Sequence, residues 1–411
     1  MRGFKKLELW SYTPTQKSFL TFTVAVMVVC FCYFEMYSSA ITLFVKAKLS
    51  LLKPNSQFNK ENQKTILFWN SFYSLKHFMF GVGHNPFIKA NRPISNCIIV
   101  DRADGDLPIP VEDFDVIVFH INGVSTLELP KQRKINQWYI YFNLESPINT
   151  KVIHKTDSYD DNYFNWTMTY RRSSDLYYPY GWVAPISNAR KVLVLPSSNP
   201  PQWIAPNYSL SSADPSLNVL LGRKTKLVAW FVSNCDSNSK RFRYVEALSK
   251  FVPVDIYGKC GKLKCPKGSR SCDKMLETTY KFYLSFENSL CLDYVTEKFF
   301  RALKYYVIPI AYGGCNYSLI APPNSYIDVS AFPSPKELAA YIIYLDKNSY
   351  EYNKYFWWKY FYTVMDDYKY VWCQLCQMVN NSSLPSKTYN DISSWWSENM
   401  CYIDHKKNTF L

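Results

Sequence analysis

Histidine is scarce in this 411-residue chain, and His77, His84, His120, His154 and His405 stand at no spacing that would share a metal or serve a nucleophile. There is no internal repeat and no low-complexity tract. Charged residues make up only 19% against 48% hydrophobic, which excludes wholesale disorder. Acid is in deficit, with 33 Asp and Glu against 47 Lys and Arg, leaving a net charge of +14. That balance favours an anionic partner. No single basic tract carries it, and the scatter of positive residues through apolar elements weighs against nucleic acid. The length suits an anchor and two domains, each able to bury its own core.

One long apolar run is present. Arg2, Lys5, Lys6 and Lys17 precede an uncharged stretch from Ser18 to Phe34, closed by Glu35. It is slightly short of the ~20 residues that cross a bilayer, which suits a thin early-secretory membrane. A cleaved signal peptide ending near Ser38, Ser39 and Ala40, or a buried helix, would look similar; the long basic lead favours an anchor. Residues 1–17 are then a cytosolic tail, 18–36 the span and 37–64, with Pro54, a stem that holds a lumenal body. Asn-X-Ser/Thr acceptors at Asn165, Asn207, Asn316, Asn380 and Asn381 agree with a lumenal body, as do ten cysteines beyond the span. Cys373 and Cys376 read as disulfide partners tying down the C-terminal segment, with Cys401 or Cys315 as candidates to pair with them. Cys97 and Cys315 read equally as buried small hydrophobes.

Short apolar runs at 97–100, 116–120 and 138–144 predict buried strands, and 195–217, dense in Pro, Ser and Asn, a linker. The later half is more regular. Strands are expected at 227–232, 254–257, 282–286 and 307–311, with helices between them. One helix carries Phe242, Val245, Leu248 and Phe251 at every third residue, another follows residue 286, and a third covers 336–345. Strands alternating with helices imply parallel sheets covered on both faces, in two α/β domains with a cleft between them.

Chemistry concentrates in Phe282-Tyr-Leu-Ser-Phe-Glu-Asn-Ser289 and Asp293-Tyr-Val-Thr-Glu-Lys298. An apolar strand stops at Glu287, Asn288 and Ser289, and a helix opens near Thr296. Helix N-termini at strand ends present N–H groups to phosphate, and Lys298 adds a charge in the first turn. Glu297 is placed to accept hydrogen bonds from sugar hydroxyls. Spacing alone also describes a capped surface helix with an ion pair.

This run, with Tyr280-Lys281 before it, resembles the signature of the α1,3-fucosyltransferases. Further pieces follow the family order: Asn143-Leu-Glu-Ser-Pro147, Met168-Thr-Tyr-Arg-Arg172 with Ser174-Asp175, Ala229-Trp-Phe-Val-Ser-Asn-Cys235, Val254-Asp-Ile-Tyr-Gly258 and Trp372-Cys-Gln-Leu-Cys376. The resemblance covers residues 95–380. Tyr257-Gly-Lys-Cys260, with Cys265 and Cys272, is more similar to the invertebrate and plant branch that modifies the N-glycan core.

The resemblance implies a GT-B fold in which two Rossmann-like domains face each other across a cleft, preceded by a single transmembrane helix and stem. Residues 65–215 would form the acceptor side, 216–380 the GDP-fucose side and 381–411 a tail. It implies inverting transfer of fucose from GDP-fucose to the 3-hydroxyl of an N-acetylglucosamine, by a type II Golgi membrane protein. Glu145, just past strand 138–144, would be the general base, although a carboxylate capping a turn before Pro147 has the same local sequence. Arg241 and Lys298 would hold the diphosphate, with Ser233 and Asn234 in the loop before them. Tyr257 and Gly258 would meet the guanosine; Asn288, Tyr294 and Glu297 would meet fucose and ribose hydroxyls; Tyr170, Arg171 and Asp175 would line the cleft from the first domain. Two cations at the diphosphate make a cofactor unnecessary, though a divalent ion such as Mn²⁺ could stimulate. Asp104-Gly-Asp106 reads as a turn, and Cys373 and Cys376 lack the second ligand pair that zinc needs. Rival readings are a terminal LacNAc or LacdiNAc acceptor, and a membrane-tethered, lectin-like scaffold without catalysis.

Overall fold

Val116-Ile-Val-Phe-His120 is buried along its whole length, the pattern of a parallel strand covered on both faces. In the computed structural model this segment is β3 of a six-stranded sheet. The structure describes residues 63–401 apart from 74, 91–92, 123–128, 151–161, 190–201, 205–214, 267 and 368. All of them belong to one compact unit, Lys60–Leu411. The tail, the span and the stem up to residue 62 lie outside the described residues, as do Asn207, His154 and His405. Among the described residues no helix is long and apolar enough to cross a membrane.

The first sheet contains β1 (Lys64–Phe68), β2 (Cys97–Asp101), β3 (Val116–His120), β4 (Trp138–Asn143), β5 (Trp166–Thr169) and β6 (Leu176–Tyr177). Their spatial order is β2-β1-β3-β4-β5-β6, every pair parallel. After β7 (Trp182–Pro185), the second sheet comprises β8 (Lys226–Phe231), β9 (Val254–Tyr257), β10 (Tyr280–Phe286), β11 (Ile308–Tyr312) and β12 (Ile327–Asp328). Its order is β12-β11-β10-β8-β9, again parallel. Each sheet reverses its winding between its first and third strands. Those reversals, β1/β3 and β8/β10, are the places where open α/β sheets form crevices at their strand carboxyl ends.

Several expectations needed correction. Lys64, at the end of the expected stem, begins β1, and the apolar pattern does not mark β1, β5 or β6, all three of which are five residues or shorter. The helix carrying Phe242, Val245 and Leu248 is Arg241–Leu248, so Phe251 falls beyond it and is 47% exposed. Residue 380 is not a domain edge. The chain pairs β13 (Tyr362–Met365) antiparallel to β7, then lays the Lys369–Asn380 and Ile392–Ser397 helices on the first sheet. Trp372, fully buried, packs against Phe68, Phe78 and Phe142 there. Cys376 pairs with Cys97 in β2, and Cys401 with Cys291, rather than with each other or with Cys315. Cys235–Cys260 and Cys265–Cys272 complete four disulfides, while Cys315 and Cys373 are buried in the core.

Candidate active site at the facing strand ends

The loops after β4 and β10 interlock. Ser146 Oγ donates to Ser289 Oγ at 2.8 Å and Asn149 Nδ2 reaches the same oxygen at 3.0 Å. Asn238 Nδ2 donates to Asn149 Oδ1 at 2.7 Å, and the Arg172 amide to Asp293 Oδ2 at 3.1 Å. The carboxyl ends of the two sheets therefore face one another at a polar seam.

Glu145 stands in that seam. Its Oε1 accepts the Ser146 amide at 2.9 Å, the Tyr294 hydroxyl at 2.8 Å and, at 3.4 Å each, Nδ2 of Asn149 and Asn288. The first contact is the turn-capping role the local sequence allowed. The contacts from Tyr294 and Asn288 are not local, because they come from the other sheet's strand ends. Tyr294 is buried, and its ring meets Tyr170 edge-on at 5.0 Å. Burial, reinforced by nearby acidic groups including Glu145, pushes its hydroxyl well above the usual range, so it stays a donor.

Arg241 opens its helix behind this seam and is 4% exposed. Its Nη1 donates to the Phe286 carbonyl at 2.5 Å and Nη2 to the Asn234 carbonyl at 3.2 Å, so the guanidinium spans the β8/β10 winding reversal. Nε is buried without a partner. The open fork expected for a diphosphate is thus partly engaged by backbone carbonyls. Lys298 is held more tightly than spacing suggested. Its Nζ lies 2.7 Å from Thr296 Oγ1 and 3.2 Å from carboxylate oxygens of both Glu287 and Glu297. Burial works against its charge, but the two carboxylates outweigh that and raise its pKa, so the ammonium persists. Glu287 is fully buried and also accepts the Thr296 amide at 2.8 Å. Burial raises its pKa, with Lys298 pulling the other way.

One tripeptide ties these groups together. The Phe286 carbonyl holds Arg241, the Glu287 carboxylate holds Lys298, and the Asn288 amide reaches Glu145. In the sequence Glu287 reads as the end of a strand. The signal that could have singled it out is a carboxylate closing a wholly apolar run, which burial makes costly unless a cation pairs with it.

Other expected residues sit elsewhere. Tyr257 is buried in the core beneath the second sheet, its hydroxyl 2.7 Å from that of Tyr280, so its ring offers no open stacking face. Gly258, with φ +102, is needed because a Cβ there would come within 2.4 Å of the Val232 carbonyl. Ser233 and Asn234 are exposed at the rim. Arg171 lies over the Trp395 ring at 4.1 Å and donates to the Trp395 carbonyl, and Asp175 accepts from Thr167, Tyr389 and Lys387. Both anchor the C-terminal segment to the first sheet instead of lining the seam. Tyr170 is 1% exposed, and its ring packs against Tyr294. Asp104 pairs with His77 at 2.8 Å, and among the described residues no cluster of three or more His, Cys, Asp or Glu is arranged to hold a metal ion.

The site thus gathers a carboxylate, a buried guanidinium and a partly buried ammonium around one tripeptide at the strand ends of two parallel sheets. Residues 221–395 match the model of the glycosyltransferase family 10 (fucosyltransferase) C-terminal region, and 61–181 that of the fucosyltransferase N-terminal region. Alpha-(1,3)-fucosyltransferase C of Drosophila melanogaster is 39% identical over 354 residues, 84% of this chain and 80% of that one. A human 3-galactosyl-N-acetylglucosaminide 4-alpha-L-fucosyltransferase is 37% identical over 294 residues, 69% and 71% of the two chains. A crystal structure of an alpha1,3-fucosyltransferase with GDP-fucose aligns over 80% of this chain and 93% of its own, with a TM-score of 0.46 and 16% identity. The chain belongs to the glycosyltransferase family 10 fucosyltransferases and is an enzyme of that family.

Proposed function

We propose that this enzyme transfers fucose from GDP-fucose to the 3-hydroxyl of an N-acetylglucosamine, with inversion, in a GT-B arrangement of its two sheets. The observation that supports this reading is that Phe286, Glu287 and Asn288 in turn contact Arg241, Lys298 and Glu145. Glu145 takes the proton from the acceptor hydroxyl as its oxygen attacks the anomeric carbon. The bond from that carbon to the β-phosphate oxygen breaks, and its electron pair leaves with GDP. Lys298 and Arg241 offset the charge growing there, with preorganised cations supplying electrostatic stabilisation where metal ions do so in other transferases. Tyr294 and Asn288 hold the carboxylate toward the acceptor, and Glu297, paired with Lys298 but with its side chain 58% exposed, accepts from a sugar hydroxyl.

Residues 18–36 act as a single type II span in a Golgi membrane, and the acceptor is the N-glycan core GlcNAc. The +14 charge, the acceptor tripeptides and the disulfides agree with this setting. The test is incubation of the full chain in detergent with GDP-fucose and either a trimmed N-glycan or an unfucosylated LacNAc, each product being read by linkage analysis. Transfer to the core GlcNAc is expected. Exclusive transfer to LacNAc would replace the acceptor, and use of another sugar nucleotide but not GDP-fucose would overturn the donor.

A further inference from the structure

The segment leaving β9 is built unlike the rest of the second sheet. It loops round to a parallel bridge beside the edge strand: the Gly258 amide donates to the Leu263 carbonyl at 3.0 Å and the Leu263 amide to the Ile256 carbonyl at 3.3 Å. Gly261 lets the strap lie flat, since a Cβ there would be 2.0 Å from the Ile256 carbonyl. Cys260 is joined to Cys235, next to the Asn234 whose carbonyl holds Arg241, and Cys265 is joined to Cys272 in the following helix, Arg270–Thr278. One covalent tie therefore fixes this strap to the loop that holds Arg241, and a second fixes it to the helix that follows.

Its side chains are basic and exposed: Lys259, Lys262 and Lys264 along the strap, and Arg270 at the opening of the helix. The nearby carboxylates are engaged elsewhere. Asp255 holds Lys226 at 2.6 Å, Asp273 holds Arg301 at 3.3 Å and Asp236 holds Lys240 at 3.3 Å. Among the described residues none of the four strap cations has an ion pair. A surface that keeps four charges uncompensated, on a rigid frame at the carboxyl end of a parallel sheet, sets up a field that draws anions toward the crevice. The chain spends two disulfides and a closely fitted glycine holding that field in place, whereas a merely soluble face would need neither.

We propose that Lys259, Lys262, Lys264 and Arg270 form an electrostatic entry for an anionic nucleoside diphosphate sugar, guiding its phosphates toward Arg241 and Lys298. This deepens the donor assignment and rests on it. The strap cations act before chemistry, as steering groups, so they govern donor capture and leave turnover at saturation alone.

The test compares the full chain with a Lys259→Gln, Lys262→Gln, Lys264→Gln triple variant and its all-arginine counterpart. Donor KM and turnover, and the affinity for GDP alone by calorimetry, are measured from about 10 mM to about 0.5 M salt, over which the screening length falls several-fold. The glutamine variant should show a donor KM about tenfold higher at low salt, within the range that charge steering spans, converging with wild type at high salt with kcat unchanged. The arginine variant should behave as wild type. An unchanged KM at low salt, a deficit that persists at every salt concentration, or an arginine variant that fails like the glutamine one would overturn the proposal. Strap-dependent GDP binding without fucose transfer would refute the transfer reading and uphold the strap; transfer with strap-independent GDP binding would do the reverse.

Discussion

Replacing Glu145 with glutamine isolates the role of one oxygen. The donors that hold this side chain all converge on Oε1: the Ser146 amide at 2.9 Å, the Tyr294 hydroxyl at 2.8 Å, and the Asn149 and Asn288 amides at 3.4 Å. Glutamine can keep a carbonyl oxygen on those same donors with almost no change of volume. The seam should survive, and only proton acceptance is removed. A positioned general base contributes about 10² to 10⁴ in rate, equivalent to about 2.7–5.4 kcal/mol of barrier. Glu145→Gln should therefore lower kcat by that factor, while the affinity for GDP, whose proposed contacts are the cations behind Phe286 and Glu287, stays within about twofold. Released GDP reports the first quantity and titration calorimetry the second. A fall in kcat of less than tenfold, or a parallel loss of GDP affinity, would refute the assignment. Tyr294→Phe removes one hydrogen bond to a charged acceptor, typically about 1.5–3 kcal/mol, and should give a smaller loss in the same direction, again with GDP binding intact.

Lys298→Met leaves the fully buried Glu287 without its cation, and such breaks typically cost about 3–5 kcal/mol. Denaturant unfolding should show that loss, and adding Glu287→Gln should recover much of it; a single variant as stable as wild type would remove the ion pair from the account. Lys224 donates to the carbonyls of Leu276 and Tyr280, and burial brings its pKa down to about 7. The unfolded chain then holds more protons than the folded one from about pH 7 up to the ordinary lysine range, so stability rises with pH through that window. In Lys224→Met that slope should flatten, as read by unfolding free energies at a series of pH values. Cys97–Cys376 closes a separation of 279 residues and Cys265–Cys272 one of 7. Chain entropy assigns them about 5.6 and about 2.4 kcal/mol, so removing the first by paired alanines should lower the melting temperature more. Asn165 is buried, accepting from the Tyr139 amide and donating to the Lys387 carbonyl, whereas Asn316 and Asn381 are exposed. Peptide mass mapping of secretory-expressed protein should find glycans at Asn316 and Asn381 and none at Asn165.

Alternating apolar runs and turn residues placed β3, β4 and most of the second sheet within a residue or two, because strands buried on both faces must be apolar throughout. The ordered motifs led from those strands to Glu145, Arg241 and Lys298 without any knowledge of their separation in space. What remained hidden depended on partners far away in the chain. Tyr257 and Arg171 carry the right chemistry for a binding site, yet Tyr280 and Trp395 claim them for packing. Glu287 looked like a strand end until Lys298 and Thr296 closed around it. The sequence assigns residues up to 380 to the second domain and 381–411 to a tail, but Trp372, Cys376 and Trp396 pack on the first sheet, whose face needs an apolar cover that the returning chain supplies. Local pattern thus set the strands, the class of fold and the chemical types available. Which side chains meet at the seam was decided only when the two sheets brought their carboxyl ends together, since burial and pairing depend on contacts between residues over a hundred positions apart.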